Sequence, residues 1–219
     1  DSRDSFGVNN VPRRWFDARA SLVVPAGEAW WFIHESTSLP PLLAAPFGLS
    51  LTDTYALNAN LFNTAWQWLG SFSHEVFQSD DLVPGNAAAV TAVSLPLSYE
   101  ADEDSMALHG FQVVQNDTDL TLLTAWQVET RAYPIGERKV FVHLLAEDGS
   151  IVAQNDFFGA TYETLFPQDL FFQQQTLSLV GLPVGRYWVQ IGLYDPQTGM
   201  RLTANGLDRL LLQPVVLSE

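Results

Sequence analysis

The chain has 219 residues, no cysteine, and a formal net charge of −15 from ten Lys+Arg against 25 Asp+Glu. That balance excludes a nucleic-acid binder, which needs clustered cations to displace counterions from phosphates, and it argues against docking on anionic lipid through a basic face. Without cysteine there are no disulfides, no thiolate nucleophile and no cysteine-held zinc. Hydrophobic residues make up 47% of the chain and charged residues 16%, enough apolar material for a sizeable core, yet no apolar run reaches the roughly eighteen residues a membrane helix needs. The chain starts on Asp1, with no Met and no signal-like segment, and is expected to be one piece of a longer protein.

In chain order, residues 1–10 read as a polar lead. Ala20-Ser-Leu-Val-Val24 reads as a buried strand, and Ala29-Trp-Trp-Phe-Ile33 as another after the Pro25-Ala-Gly27 turn. Ser38-Leu-Pro-Pro-Leu-Leu reads as a helix start, with Ser38 as the N-cap and prolines in the first turn. In residues 60–69, Phe62, Thr64, Trp66 and Trp68 alternate, which favours a strand over a helix. Pro84-Gly-Asn-Ala-Ala-Ala89 marks a boundary. Two domains follow: a small α/β unit at 1–86 and an antiparallel β-sandwich at 87–219, immunoglobulin-like or jelly-roll-like, so that the fold class is mainly β.

The second part divides into period-two runs near residues 91–99, 106–115, 120–130, 138–145, 151–157, 174–180, 185–194, 200–204 and 209–217. Leu120, Leu122, Thr124, Trp126 and Val128 share one face, as do Tyr187, Val189, Ile191 and Leu193, the pattern of sheets with one buried side. Asp148-Gly149 supplies the positive backbone angles of a tight hairpin, and Asp195-Pro-Gln-Thr-Gly199 fits a longer one. Leu165-Phe-Pro-Gln-Asp-Leu-Phe-Phe172 reads as an aromatic loop, a candidate contact surface from Phe166 to Phe172.

Few residues point to chemistry. The four histidines form neither HExxH nor HxH, and His143 sits mid-strand, where a packed imidazole is the ordinary reading. Asp102-Glu-Asp104 is the densest acidic run; Asp102 and Asp104 are a calcium candidate through carboxylate oxygens, although the EF-hand spacing is absent and a solvated turn explains them as well. Asn116-Asp-Thr118 matches a glycosylation sequon and also reads as a turn. No nucleophile elbow or phosphate loop is present, and no catalytic residue is assigned. Tryptophan faces can stack on sugar rings, which makes Trp66, Trp68, Trp188 and Tyr194 the carbohydrate-binding candidates, with core packing as the competing reading.

The segments Val140-Phe-Val-His-Leu-Leu-Ala-Glu-Asp-Gly149, Ile151-Val-Ala-Gln-Asn-Asp156, Leu182-Pro-Val-Gly-Arg-Tyr187 and Ile191-Gly-Leu-Tyr-Asp-Pro-Gln-Thr-Gly199, with Trp126-Gln127, Asp208-Arg209 and Arg14-Trp-Phe-Asp-Ala-Arg-Ala-Ser-Leu-Val-Val-Pro25, resemble the C-terminal soluble region of bacterial polytopic glycosyltransferases similar to dolichyl-phosphate-mannose protein mannosyltransferases. The resemblance implies an extracytoplasmic, non-catalytic domain tethered to the membrane part of the same chain, which assists acceptor or glycan binding or braces that part. It carries over no catalytic residue, because the family's catalytic acid belongs to a loop between membrane helices that has no counterpart here. A free-standing carbohydrate-binding module and a structural protein-contact domain are the alternatives.

Overall fold

The computed structural model describes residues 13–25, 31–34, 37–44, 53–59, 62–68, 97–101, 104–131 and 136–218. Twelve strands follow one another: β1 (Ser21–Val24), β2 (Phe32–His34), β3 (Asp53–Ala59), β4 (Phe62–Trp68), β5 (Leu97–Ala101), β6 (Asp104–Gln115), β7 (Asp119–Thr130), β8 (Lys139–Leu145), β9 (Ile151–Phe157), β10 (Leu170–Ser178), β11 (Gly185–Tyr194) and β12 (Leu210–Leu217). Among the described residues there is one short α-helix, α1, which spans Pro41–Ala44. The strands form a five-stranded sheet in the order β1-β10-β7-β6-β5, a four-stranded sheet β12-β11-β8-β9 and a three-stranded sheet β2-β4-β3. Every pairing is antiparallel. The protein is mainly β.

Alternation along the strands builds the core. Leu120, Leu122, Trp126 and Val128 of β7, Met106, Leu108 and Phe111 of β6, and Phe171 and Leu177 of β10 meet Val140, Val142 and Leu144 of β8, Val189, Ile191 and Leu193 of β11, and Leu210, Leu212 and Val215 of β12 in one buried cluster. The inward faces of the five- and four-stranded sheets therefore share a single core. Trp126 is fully buried, its ring 5.7 Å from that of Tyr99. Its indole N–H donates to Thr124 Oγ1 at 2.9 Å, so the largest side chain is buried without leaving a polar atom unpaired.

The opposite face of the five-stranded sheet is also covered. Leu22, Val24, Leu123, Ala125, Leu170 and Phe172 pack with Trp31 and Leu43 of α1, and the Trp31 indole donates to Val23 O at 2.8 Å. The helix starts at Pro41, beyond Ser38, and Leu43 N–H bonds to Pro40 O at 2.9 Å. Ser38 is thus not the N-cap; proline itself suits the first helical position because it has no N–H to leave unpaired.

β1 comes from the segment expected to form a separate N-terminal unit, yet it pairs with β10 from Ser21↔Gln173 to Val24↔Leu170. The residues just before it are fastened as well. Asp17 N–H bonds to Gly159 O and Thr161 N–H to Trp15 O. Arg14 grips the buried Asp169 through two hydrogen bonds of 2.7 and 2.9 Å while lying over the Phe166 ring. β3 and β4 form a hairpin from Asp53↔Trp68 to Ala59↔Phe62, with β2 on its other edge, which agrees with the strand reading of 60–69 and adds a strand at 53–59 that the sequence did not suggest. The boundary expected at 84–89 lies outside the described residues.

Three further expectations are corrected. Residues 200–204 form no strand, only isolated bridges at Tyr194↔Arg201 and Ala204↔Leu207. β10 starts at Leu170, not Gln174, and absorbs most of the expected aromatic loop: Leu170, Phe171 and Phe172 are buried strand residues, and Phe166 alone of those aromatics is exposed. The amides of Gln173 and Gln175 account for that shift, since they are buried on the inner side of β10. Gln175 donates to Asn155 O at 2.7 Å and Val140 O at 3.1 Å; Gln173 donates to Phe157 O at 3.0 Å and Gln175 Oε1 at 2.7 Å, and accepts from Gly159 N–H at 2.8 Å. Glutamine is compatible with the inner face of a core strand when its amide finds partners, as those of Gln173 and Gln175 do.

The start of β11 carries a local lock. The Tyr187 hydroxyl donates back to Pro183 O at 2.7 Å, fixing the crossover from β10. Tyr187→Phe keeps the packing and deletes the bond. It is expected to lower the unfolding free energy by about 1 kcal/mol, read as a lower denaturant midpoint at unchanged slope; an unchanged midpoint would show that the lock contributes nothing.

Candidate functional site

The outward face of the four-stranded sheet gathers the side chains with chemical potential. Because cross-strand partners point the same way, the register lays them out in rows. Ile151, Leu145, Trp188 and Pro214 form one row across the four strands; Gln154, His143, Gln190 and Leu211 form the next; Asp156, Phe141 and Gly192 the third; Lys139 and Tyr194 the last. The first row is apolar and the second is largely amide and imidazole.

A hydrogen-bonded chain ties the second row to the third. Gln190 Nε2 lies 3.2 Å from His143 Nδ1, His143 Nε2 lies 3.3 Å from Asp156 Oδ1, and the Tyr194 hydroxyl donates to Asp156 Oδ2 at 3.2 Å. An amide nitrogen only donates, so Nδ1 is the acceptor and the neutral ring carries its proton on Nε2, directed at the carboxylate. Burial holds the His143 pKa below its ordinary 6.5; Asp156 opposes that shift and the Arg201 cation adds to it. Burial, and then the Asp156 charge, raise the Tyr194 hydroxyl.

Phe141 lies against this chain, its ring 4.8 Å from that of His143 at a tilt of 32° and capped by the Arg201 guanidinium at 4.5 Å. Gly192 makes room for it, since a Cβ at that position would run into the Phe141 ring. Arg201 is held in turn by Asp208 at 3.0 Å. The end of the face near Tyr194 is therefore closed by the 201–208 segment, and the end near Trp188 is open. There Trp188 is half-buried, Gln154 and Ile151 are exposed, and the Arg186 guanidinium stands 5.3 Å from the Trp188 ring.

Of the four carbohydrate candidates, Trp188 and Tyr194 share this face but stand six residues apart on β11, about 20 Å at strand rise, with Gln190 and Gly192 between them; they do not form one paired platform. Trp66 and Trp68 stand two residues apart on β4, the middle strand of the three-stranded sheet. Of the calcium candidates, Asp102 lies outside the described residues and Asp104 opens β6 opposite Ala101. No cluster of three or more His, Asp or Glu side chains placed to hold a metal occurs among the described residues. The sequon residue Asn116 caps its own turn, its Oδ1 accepting from Thr118 N–H at 2.9 Å and Asp119 N–H at 2.8 Å.

Sequence reasoning missed Asp156 as the partner of His143. The Asp148-Gly149 turn held the signal: counting outward from it pairs His143 with Gln154 and leaves Asp156 on the diagonal of the same face. Comparison with protein-family models, curated proteins and solved structures gives no match.

The His143 environment sets a pH dependence. Its folded pKa lies below 6.5, so between the folded and unfolded values the unfolded chain binds more protons, and stability falls as pH drops through that window and is level above it. Equilibrium unfolding across pH 5–8 is expected to show this acid-side slope, up to about one proton per molecule, and to lose it in His143→Gln. The same slope in both proteins would mean that the ring is not kept neutral by burial.

Proposed function

We propose that this chain is a non-catalytic, extracytoplasmic immunoglobulin-like domain of a membrane-bound glycosyltransferase, which contacts glycan or glycosyl acceptor through the open end of the four-stranded sheet and sits beside the membrane part of the same longer chain. Strand order supports the fold type. The path stays within one sheet at β6→β7, β8→β9 and β11→β12 and changes sheet at β7→β8, β9→β10 and β10→β11. The resulting orders β6-β7-β10 and β12-β11-β8-β9 correspond to the A-B-E and G-F-C-C′ arrangement of immunoglobulin-like sandwiches. The Tyr187 hydroxyl bonded to Pro183 O at the start of β11 occupies the place of the tyrosine corner in such domains.

The observation that carries the functional reading is the succession of rows on the outer face: a half-buried Trp188 in an apolar row with Leu145 and Ile151, then the amide and imidazole row of Gln190, His143 and Gln154, with Asp156 bonded to His143 behind it. A flat aromatic plate next to amide and carboxylate groups is what a sugar ring needs, an apolar C–H face with hydroxyls at its rim. The His143–Asp156 pair is no hydrolytic device, because the other imidazole nitrogen accepts from the Gln190 amide instead of activating a hydroxyl or thiol. Trp66 and Trp68, two residues apart on β4, are a second proposed platform. The link to a glycosyltransferase rests on the sequence resemblance. No helix among the described residues is long and apolar enough to cross a membrane.

A glycan array probed with the wild type and with Trp188→Ala tests the reading. Binding to a defined glycan class, weakened about tenfold or more (about 1.4 kcal/mol) by Trp188→Ala with unchanged thermal unfolding, is the expected result. Silence across the array, or binding indifferent to Trp188, contradicts the reading.

A further inference from the structure

At the end of the two-sheet body where β10 passes into β11, the loop Leu179-Val-Gly-Leu-Pro-Val184 contains no polar side chain. Val180 and Val184 are 71% and 62% exposed. The loop is nevertheless fixed: Leu179 N–H bonds to Thr118 O at 2.7 Å, Leu182 N–H to Leu179 O at 3.2 Å, the Tyr187 hydroxyl to Pro183 O at 2.7 Å, and Gly181 takes the positive φ the turn requires. The apolar surface continues beyond the loop. Gly185 pairs with Leu217, placing Val184 beside the end of β12, where Val216 is 61% exposed. Monomeric proteins rarely leave a rigid apolar patch open without a use for it.

The charges around this end are acidic but for one. The turn between β6 and β7 carries Asp117 and Asp119, and the hairpin between β8 and β9 carries Glu147 and Asp148. Among the described residues, Arg186 is the one cation at this end, and its guanidinium is turned onto Trp188 on the outer sheet face. Of the other described cations, Arg13, Arg14, Arg131, Arg138, Lys139, Arg201 and Arg209 lie on segments at the opposite end, and Arg19, level with the middle of β10, is bound to Asp17.

We infer that this aliphatic, acid-rimmed end is a docking surface for a protein partner that presents aliphatic side chains inside a basic rim. A fixed loop loses little entropy on binding, and an acidic rim selects and steers a basic one. The same rim repels anionic lipid, and the loop carries none of the aromatic residues that anchor at membrane interfaces. A second copy would set acid against acid. The inference does not depend on the glycan face.

The test is a displayed-peptide selection on the whole chain, with the Val180→Asp/Val184→Asp double variant as counter-target. Both side chains project into solvent, and matching thermal unfolding shows that the variant keeps its fold. Enriched peptides are expected to combine Leu, Ile or Val with Lys or Arg. A synthetic representative is expected to bind at least tenfold more weakly to the variant and to lose affinity as salt rises. Four results would overturn the inference: no enrichment, equal binding to the variant, binding of the wild type to phosphatidylcholine vesicles that the variant loses, or self-association that the variant abolishes.

Discussion

Buried amides on β10 hold the two sheets in register with one another. Apolar contact alone makes sheets adhere, but it is non-directional. Gln173 and Gln175 add direction, because their N–H groups reach carbonyls of Val140, Asn155 and Phe157 on the facing sheet. Asn155 answers with an amide bond to Thr176 O at 3.2 Å. In a medium of low dielectric such bonds are costly to break, since each lost partner leaves a buried polar group unpaired. The bonds also occupy carbonyls along β9, the edge strand of the four-stranded sheet, and so fix the strand that carries Gln154 and Asp156.

The consequences run outward from there. With β9 held, Asp156 meets His143 and Tyr194, the imidazole is fixed as one tautomer, and Gln190 closes the chain on β11. The outer face is therefore prepared before any ligand arrives, at the end left open by the 201–208 segment. On its other edge β10 accepts β1, and the Gly159 N–H that bonds Gln173 belongs to the residue whose carbonyl receives Asp17 N–H. One strand thus connects the N-terminal segment, the shared core and the proposed working face.

Much of this was legible in the sequence. The alternation Leu120-Thr-Leu-Leu-Thr-Ala-Trp126 and Tyr187-Trp-Val-Gln-Ile-Gly-Leu193 gave the core faces of β7 and β11 through period two, but not the cover over Leu123, Ala125 and Gln190 on their other faces. Asp148-Gly149 marked its hairpin, although Gly149 takes a positive φ and Asp148 does not, and the loop closed by Ala146 and Ser150 is longer than the expected two residues. Trp126 and Tyr187 are buried as their faces required. The start of β10 was hidden because Gln173-Gln-Gln175 looks like a solvated run, and burial of glutamine depends on carbonyls brought from strands 16 to 35 positions away in sequence. The membership of β1 in the large sheet was hidden for a similar reason: a four-residue apolar strand fits any sheet, and only the pairing Ser21↔Gln173 decides which. The site was half legible. Trp188, Gln190 and Tyr194 could be placed on one face, whereas their relation to Asp156 and Arg201 needed register and a folded-back loop.

The central claim is that the β10 amides, rather than the apolar core alone, fix β9 and the face built on it. Amide hydrogen exchange on Gln173→Leu/Gln175→Leu tests it most directly. The account predicts faster exchange concentrated in residues 151–161 and in the 14–17 segment bound to them, with β7 and β11 still protected. Uniform loss of protection, or none, would contradict it and return the positioning of the face to the core.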